Sequence, residues 1–214
     1  MKKFVFIVLF LLYAQSVFPV TSDSIFSKII STNLPAYYFD IRKIKSPTSL
    51  TIYTVTIYKD SINNLLQVIK DSIDGDFNLL YPEFSFEFID INFDGYQDLK
   101  FFDFTSPNGQ SHAYKYWLFN NETGKFIYNE NYSYKLAGID VCIDSSINMI
   151  IVYFKSGDYA MGQDRYKVIN NELILSEEEG IFYDITKEAH FERLYRNVNG
   201  EMIIIREKPF SFKE

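Results

Sequence analysis

Residues 84–104 read FSFEFIDINFDGYQDLKFFDF, and this stretch decides the fold because two strand-like patterns flank one polar loop. On both sides of the loop, Phe, Leu and Ile alternate with polar residues, which is the period of a half-buried β-strand. The loop itself is rich in Asp, Asn and Gly, residues that favour tight turns. The stretch therefore predicts an antiparallel strand–loop–strand unit.

The same alternation recurs along the rest of the chain. Residues 50–58 read LTIYTVTIY, and residues 113–119 and 125–128 flank a Gly-containing turn. Residues 191–198 and 202–206 meet across an Asn-Gly pair, which is the strongest short-range signal for a hairpin. Strands separated by turns predict an all-β chain that folds as an antiparallel β-sandwich of about eight or more strands.

Helical periodicity is weak, and short helices are expected only at residues 24–32 and 186–190. Hydrophobic residues make up 47% and aromatic residues 18% of the 214-residue chain, which is enough for a real core. The single cysteine, Cys142, excludes an intrachain disulfide, and its apolar surroundings predict a buried side chain.

The first residues have the three parts of a secretion signal. Lys2 and Lys3 precede an apolar run at residues 4–13, and Ala14 and Ser16 then supply the small residues of a cleavage site. The run is too short to cross a bilayer, so we expect no transmembrane segment after cleavage. We predict a signal peptide at residues 1–16, an N-terminal extension at 17–34 and one β-sandwich domain at 35–214. The protein is expected to be exported, either periplasmic or secreted.

The charge of the chain restricts its partners. The formal net charge is −7 and no basic run is present, so the sequence predicts no nucleic-acid binding. An acidic surface attracts cationic partners over long range, and salt weakens this attraction.

The loop DINFDGYQD at residues 90–98 has the spacing of a calcium site. Calcium takes six to eight oxygen ligands, and alternate acidic or amide side chains let one tight turn supply several of them. Gly95 at position 6 permits the sharp bend. The expected ligands are Asp90, Asn92, Asp94, the main-chain carbonyl of Tyr96, and Asp98.

The loop departs from a helix–loop–helix calcium site in two ways. Position 12 is Phe101 rather than a bidentate Glu, and the flanking residues alternate as strands. We therefore predict a structural Ca²⁺ that fastens two strands, with Asp98 in place of the missing Glu. The alternative is a metal-free turn rich in Asn and Asp.

No local motif for catalysis is present. His112 and His190 are the only histidines, and there is no HExxH, GxSxG or phosphate-binding loop. Paired carboxylates for glycoside hydrolysis need no local motif, so a hydrolase stays an open alternative. We expect a protein without enzymatic activity.

Residues 155–166 read KSGDYAMGQDRY, a small polar loop with an aromatic residue near each end. By composition it is an ordinary hairpin loop. Its place in the chain is more informative. Three motifs precede it: LQVI at residues 66–69, DINFDGYQDL at 90–99, and YWLFN at 116–120 followed by TGKF at 123–126. In this order the sequence resembles the periplasmic inhibitors of I-type lysozyme and related exported antitoxins against lysozyme-like effectors. The resemblance covers roughly residues 50–178.

The resemblance implies a β-sandwich with a calcium loop and a protruding Ser-Gly loop that enters the cleft of a lysozyme-like protein. By this resemblance Ser156 donates a hydrogen bond to a catalytic carboxylate, and Gly157 lets the main chain pass the rim. Tyr159 or Tyr166 packs beside them. Asp158 departs from the pattern, because its carboxylate adjoins the inserting serine. The alternative function is a calcium-stapled exported domain that binds another protein or a glycan.

Overall fold

The computed structural model describes residues 24–45, 50–74, 86–105, 112–138, 140–157 and 160–211. These residues form fourteen β-strands and one short helix, arranged in three antiparallel sheets. The predicted all-β class and the antiparallel sandwich are confirmed. Among the described residues, no helix is long and apolar enough to span a membrane.

The first sheet has its strands in chain order: β1 (Ser24–Lys28), β2 (Tyr37–Lys45), β3 (Leu50–Lys59) and β4 (Leu65–Asp74). The expected helix at residues 24–32 is wrong, since β1 pairs with β2 there. Phe26 stacks on Phe39 with ring centroids 5.6 Å apart, so tertiary packing overrides weak local propensity. The sheet thus begins within the predicted N-terminal extension.

In the second and third sheets, too, each strand pairs with its neighbours in the chain. The second comprises β5 (Phe86–Ile89), β6 (Asp98–Thr105), β7 (His112–Asn120) and β8 (Lys125–Asn129). Helix α1 (Glu130–Lys135) comes next. The third comprises β9 (Asp140–Asp144), β10 (Met149–Ser156), β11 (Ala160–Ile169), β12 (Glu172–Asp184), β13 (Ala189–Val198) and β14 (Glu201–Phe210).

The second sheet is the central layer, because both of its faces are covered. On β7, Trp117 and Phe119 face the first sheet and belong to the first core, which joins these two sheets. Tyr116 and Leu118 point the other way, into a second core shared with α1 and the third sheet. Aromatic residues fill both cores, which accounts for the high Phe and Tyr content.

Two further expectations fail in the third sheet. Residues 185–188 form a turn instead of a helix, because the Asp184 carboxylate accepts hydrogen bonds from the main-chain nitrogens of Thr186 and Lys187. Cys142 is exposed rather than buried. It lies on the edge strand β9, where its neighbours Val141 and Ile143 take the positions that face the second core.

Candidate functional site

The turn between β5 and β6, residues 90–97, winds around the Asp90 carboxylate. We call it the metal turn, after its predicted role. Asp90 Oδ1 accepts a hydrogen bond from the nitrogen of Asp94 at 3.1 Å, and Oδ2 accepts one from Gly95 at 3.0 Å. Phe93 and Gly95 both have positive φ, at 60° and 86°. The left-handed conformation at Gly95 explains why the turn carries glycine there.

Asn92 connects this turn to the third sheet. Its amide nitrogen donates to Asp94 Oδ2 at 2.8 Å and to Asn171 Oδ1 at 3.0 Å. Asn171 lies in the turn between β11 and β12. Asp94 Oδ1 in turn accepts from the nitrogen of Tyr96 at 2.9 Å, and the Tyr96 ring packs against Phe119. The turn is therefore fastened to the third sheet and to strand β7 of its own sheet.

Asp98 begins β6 and is fully buried. Its Oδ1 accepts a hydrogen bond from Phe119 N at 2.7 Å, and its Oδ2 accepts one from Ile91 N at 3.1 Å. Burial raises the pKa of Asp98 to about 8, with a further rise from the charges of Asp94 and Asp90, although the two hydrogen bonds oppose it. Asp98 thus ties the start of the metal turn to the central strand β7.

The surroundings of the turn are suited to a cation. In the described part of the chain, Asp90, Asp94 and Asp98 form no ion pair with a basic side chain. The Tyr132 hydroxyl is buried without a hydrogen-bond partner, and burial together with these three carboxylates raises its pKa. A buried oxygen without a partner, within electrostatic range of three carboxylates, fits a bound cation or its coordinated water.

The carboxylates do not converge on one point. Among the described residues, no group of three or more His, Cys, Asp or Glu side chains is arranged to hold a metal ion. Instead, Asp90, Asp94 and Asp98 all accept hydrogen bonds from main-chain nitrogens. A carboxylate has about four lone-pair sites, so these bonds leave further acceptor capacity for a cation. Metal binding at this turn stays a prediction.

The predicted partner-binding residues separate into two places. Ser156 ends β10 and Gly157 begins the following turn with φ +56°, and both are exposed. Tyr159, like Asp158, lies outside the described residues. Tyr166 is not beside Ser156: it is 6% exposed, lies in the second core, and donates its hydroxyl proton to Asp164 Oδ2 at 3.2 Å.

The metal turn and the Ser-Gly loop lie at opposite ends of β11. Ser156 pairs with Ala160 at the start of this strand, whereas Asn171 follows its end. The strand has ten residues, which corresponds to about 30 Å. The metal turn therefore fastens the Asn171 turn and makes no direct contact with the Ser-Gly loop.

Several residues near these sites were not singled out from the sequence. Asp164 and Glu178 pair across β11 and β12, as do Gly162 and Gly180. Two glycines in strand-like stretches do signal a close approach of main chains. The partner of each glycine depends on the register of strands that are distant in sequence, so the pairing itself has no local signal.

Comparison with known proteins supports the fold. No protein-family model matches the chain, and no curated protein matches it. A solved structure described as a Xanthomonas type IV secretion system related protein is similar, with a TM-score of 0.56 and 16% sequence identity. The likeness covers 87% of this chain and 98% of the other. At this identity it shows a shared fold alone.

Proposed function

We propose that the protein is an exported, calcium-binding inhibitor of a lysozyme-type muramidase, which it blocks by inserting the Ser156-Gly157 loop into the catalytic cleft. The observation that carries this proposal is the exposure of both residues at the end of the β10–β11 hairpin. A cleft-blocking loop requires such exposure of the residues that enter the cleft.

Strand pairing holds the hairpin that carries the loop. Eight consecutive residue pairs join β10 to β11, from Met149 with Lys167 to Ser156 with Ala160. Strand β12 pairs with β11 from Ala160 to Ile169, and β9 pairs with β10 from Met149 to Tyr153. A hairpin whose strands are already ordered loses little entropy on binding, which favours affinity.

The chemistry of the loop suits a muramidase cleft. Lysozyme-type enzymes use one protonated and one ionised carboxyl group. A serine hydroxyl can donate to the ionised group or accept from the protonated one. Gly157 has no side chain to meet the rim of the cleft, and a net charge of −7 attracts a cationic enzyme.

Export is supported by the signal-like residues 1–16 and by the fold shared with a protein described as related to a secretion system. We place the mature protein in the periplasm or outside the cell, without a transmembrane segment and without enzymatic activity.

Calcium is proposed as a structural ion at the metal turn. Asp90, Asn92, Asp94, Tyr96 through its carbonyl, and Asp98 would hold it. The support is an acidic turn that has no basic partner among the described residues, and the unpartnered Tyr132 hydroxyl within its electrostatic range. Calcium supplies charge compensation there. Calorimetric titration of chelator-treated protein with calcium chloride measures the binding, and the absence of a binding isotherm would contradict it.

The inhibition is tested with a peptidoglycan-lysis assay on c-, g- and i-type lysozymes and a bacterial muramidase. We expect the wild-type protein to inhibit at least one of them. Ser156→Ala should weaken that inhibition by about tenfold or more, because a hydrogen bond to a charged group contributes about 1.5–3 kcal/mol.

The matched control is Ser146→Ala. Ser146 is an exposed hairpin serine at the other end of the same sheet, where its hydroxyl contacts Asp144. Its replacement should leave inhibition unchanged. A wild-type protein that inhibits none of the four enzymes would exclude the proposed function, and retained binding of a glycan or another protein would favour the alternative domain function.

A further inference from the structure

The third sheet has an inner face that continues beyond the second core. Ile150, Val152 and Tyr166 mark this face where the core covers it. Farther along, the pairing places Asp164 with Glu178, Gly162 with Gly180, and Ala160 with Phe182 on the same face. Ser156 shares the face, because it pairs with Ala160.

Bare main chain and aromatic rings form this part of the face. A Cβ on Gly162 would lie 2.8 Å from Gly180 Cα and nearer still to the Glu179 carbonyl oxygen, so no side chain fits there. Around the glycines, the ring of Phe182 lies 6.2 Å from Phe154 and 5.7 Å from Tyr195. We call the five residues Phe154, Gly162, Gly180, Phe182 and Tyr195 the glycine–aromatic surface.

The three rings of this surface are partly exposed. They do not belong to any of the three hydrophobic clusters of the described residues. The ring of Phe182 lies between those of Phe154 and Tyr195, and the partly exposed rings offer flat apolar faces to a binding partner.

Two carboxylates border the surface without a basic partner. Burial raises the pKa of both Asp164 and Glu178, and the charge of Asp164 adds to the rise at Glu178. Neither forms an ion pair with a basic side chain of the described residues. Asp164 Oδ1 is buried without a hydrogen bond, while Oδ2 accepts one from Tyr166.

The opposite face of the same strands shows how the chain compensates such acids. There Arg165 places one guanidinium nitrogen 3.0 Å from Glu177 Oε2 and another 2.9 Å from Glu179 Oε2. Arg206 adds a further contact to Glu179 at 2.6 Å. On the outer face, arginines neutralise Glu177 and Glu179. On the inner face, Arg193 pairs with Asp184 and Glu207, but Asp164 and Glu178 have no basic partner among the described residues.

We propose that the glycine–aromatic surface receives an arginine or lysine side chain of the lysozyme-type partner, with its charge facing Glu178. This inference rests on the proposed function and extends its interface beyond the loop. Charge complementarity supports a basic group, and the rings of Phe182 and Tyr195 attract cations through their faces. Arginine fits best, because its planar guanidinium also stacks on aromatic rings.

The surface is continuous with the Ser156 loop. Val152 lies in the same row of paired residues as Asp164 and Glu178, four positions before Ser156 on β10. Four strand residues span about 13 Å, so one partner of ordinary interface size reaches both.

The test compares Glu178→Gln with Glu179→Gln. The two variants change charge equally at neighbouring positions, but on opposite faces of β12. Binding to a lysozyme-type enzyme that the wild type inhibits is measured by calorimetry at low and at physiological salt. We expect Glu178→Gln to weaken binding about tenfold and to reduce its dependence on salt, whereas Glu179→Gln leaves the affinity within about twofold.

A second variant, Phe182→Leu, keeps an apolar side chain but removes the ring, and it should weaken binding about threefold or more. Unchanged melting temperatures of the Gln variants would show that folding is intact, since Glu178→Gln removes only a half-buried charge.

The outcomes separate the two proposals. If Ser156→Ala abolishes inhibition while Glu178→Gln and Glu179→Gln bind alike, the surface proposal is overturned and cleft blocking stands. If the wild type binds no muramidase, both are overturned. Binding of peptidoglycan fragments that depends on Phe182 but not on Glu178 would also overturn the assignment to a basic side chain.

Discussion

The two ends of the six-stranded third sheet are held by different forces. At the end near the metal turn, Ile150 and Leu173 are fully buried against α1 and the central sheet. Toward the Ser-Gly loop, and along β13 and β14, side chains are half-buried or exposed, and ion pairs link neighbouring strands. Buried apolar area contributes far more stability than surface ion pairs do. The loop end can therefore vary in sequence, as a binding surface must, while the other end maintains the fold.

The largest effect is expected at the metal-turn end, from Asp98→Ala. The substitution leaves the buried main-chain nitrogens of Ile91 and Phe119 without an acceptor. Each unsatisfied group costs about 1–3 kcal/mol, so the free energy of unfolding should fall by about 2–6 kcal/mol. Urea denaturation in the presence of chelator measures the loss independently of calcium.

Asp98→Asn is the matched control, because its amide retains one acceptor oxygen of similar geometry. It should lose about half as much stability as Asp98→Ala. A stability of Asp98→Ala equal to that of the wild type would mean that buried hydrogen bonds do not distinguish this end of the sheet.

Strands with local sequence signals could be predicted, whereas features that depend on distant residues could not. Strands β3, β7, β8, β13 and β14 follow from period-two alternation and turn residues, which are local signals. Strand β1 was missed, because it depends on the packing of Phe26 against Phe39. The division of the chain into three sheets likewise depends on pairings between distant residues.

The candidate sites were predictable to a similar degree. Spacing alone located the turn from Asp90 to Asp98, because the acceptors and the glycine are local in sequence. Its contact with Asn171 could not be predicted, since that residue lies 79 positions from Asn92. Tyr166 was assigned to the partner loop from its position in the sequence, whereas the register places it in the second core.

Calcium removal should have an intermediate effect, again confined to the metal-turn end. At free calcium one hundred times the dissociation constant, binding to the folded state contributes about 2.7 kcal/mol. Chelator should therefore lower the melting temperature of the wild type. Asp94→Ala should abolish this shift, because it removes a proposed ligand that also accepts from Tyr96 N.

Asp144→Ala serves as the control for this prediction. Asp144 also accepts hydrogen bonds within an exposed turn, from Ser146, but it is not a residue of the metal turn. Its replacement should preserve the shift caused by chelator. Hydrogen exchange should place the change in protection around Asn171 and the start of β12; a change at the Ser-Gly loop instead would show that the two ends are coupled.

The smallest effect is expected at the loop end, from Arg206→Gln. Arg206 contacts Glu179 at 2.6 Å and Glu192 at 3.0 Å, but its side chain is 40% exposed. Exposed ion pairs typically contribute about 0.2–1 kcal/mol, and the loss should shrink further at about 1 M salt, where the Debye length is about 3 Å. Urea denaturation at low and high salt measures both values. A loss above about 2 kcal/mol that persists in high salt would show that the ionic side of the sheet is a structural core in its own right. In that case the loop end would be as important to stability as the metal-turn end, and we would no longer expect its sequence to vary freely.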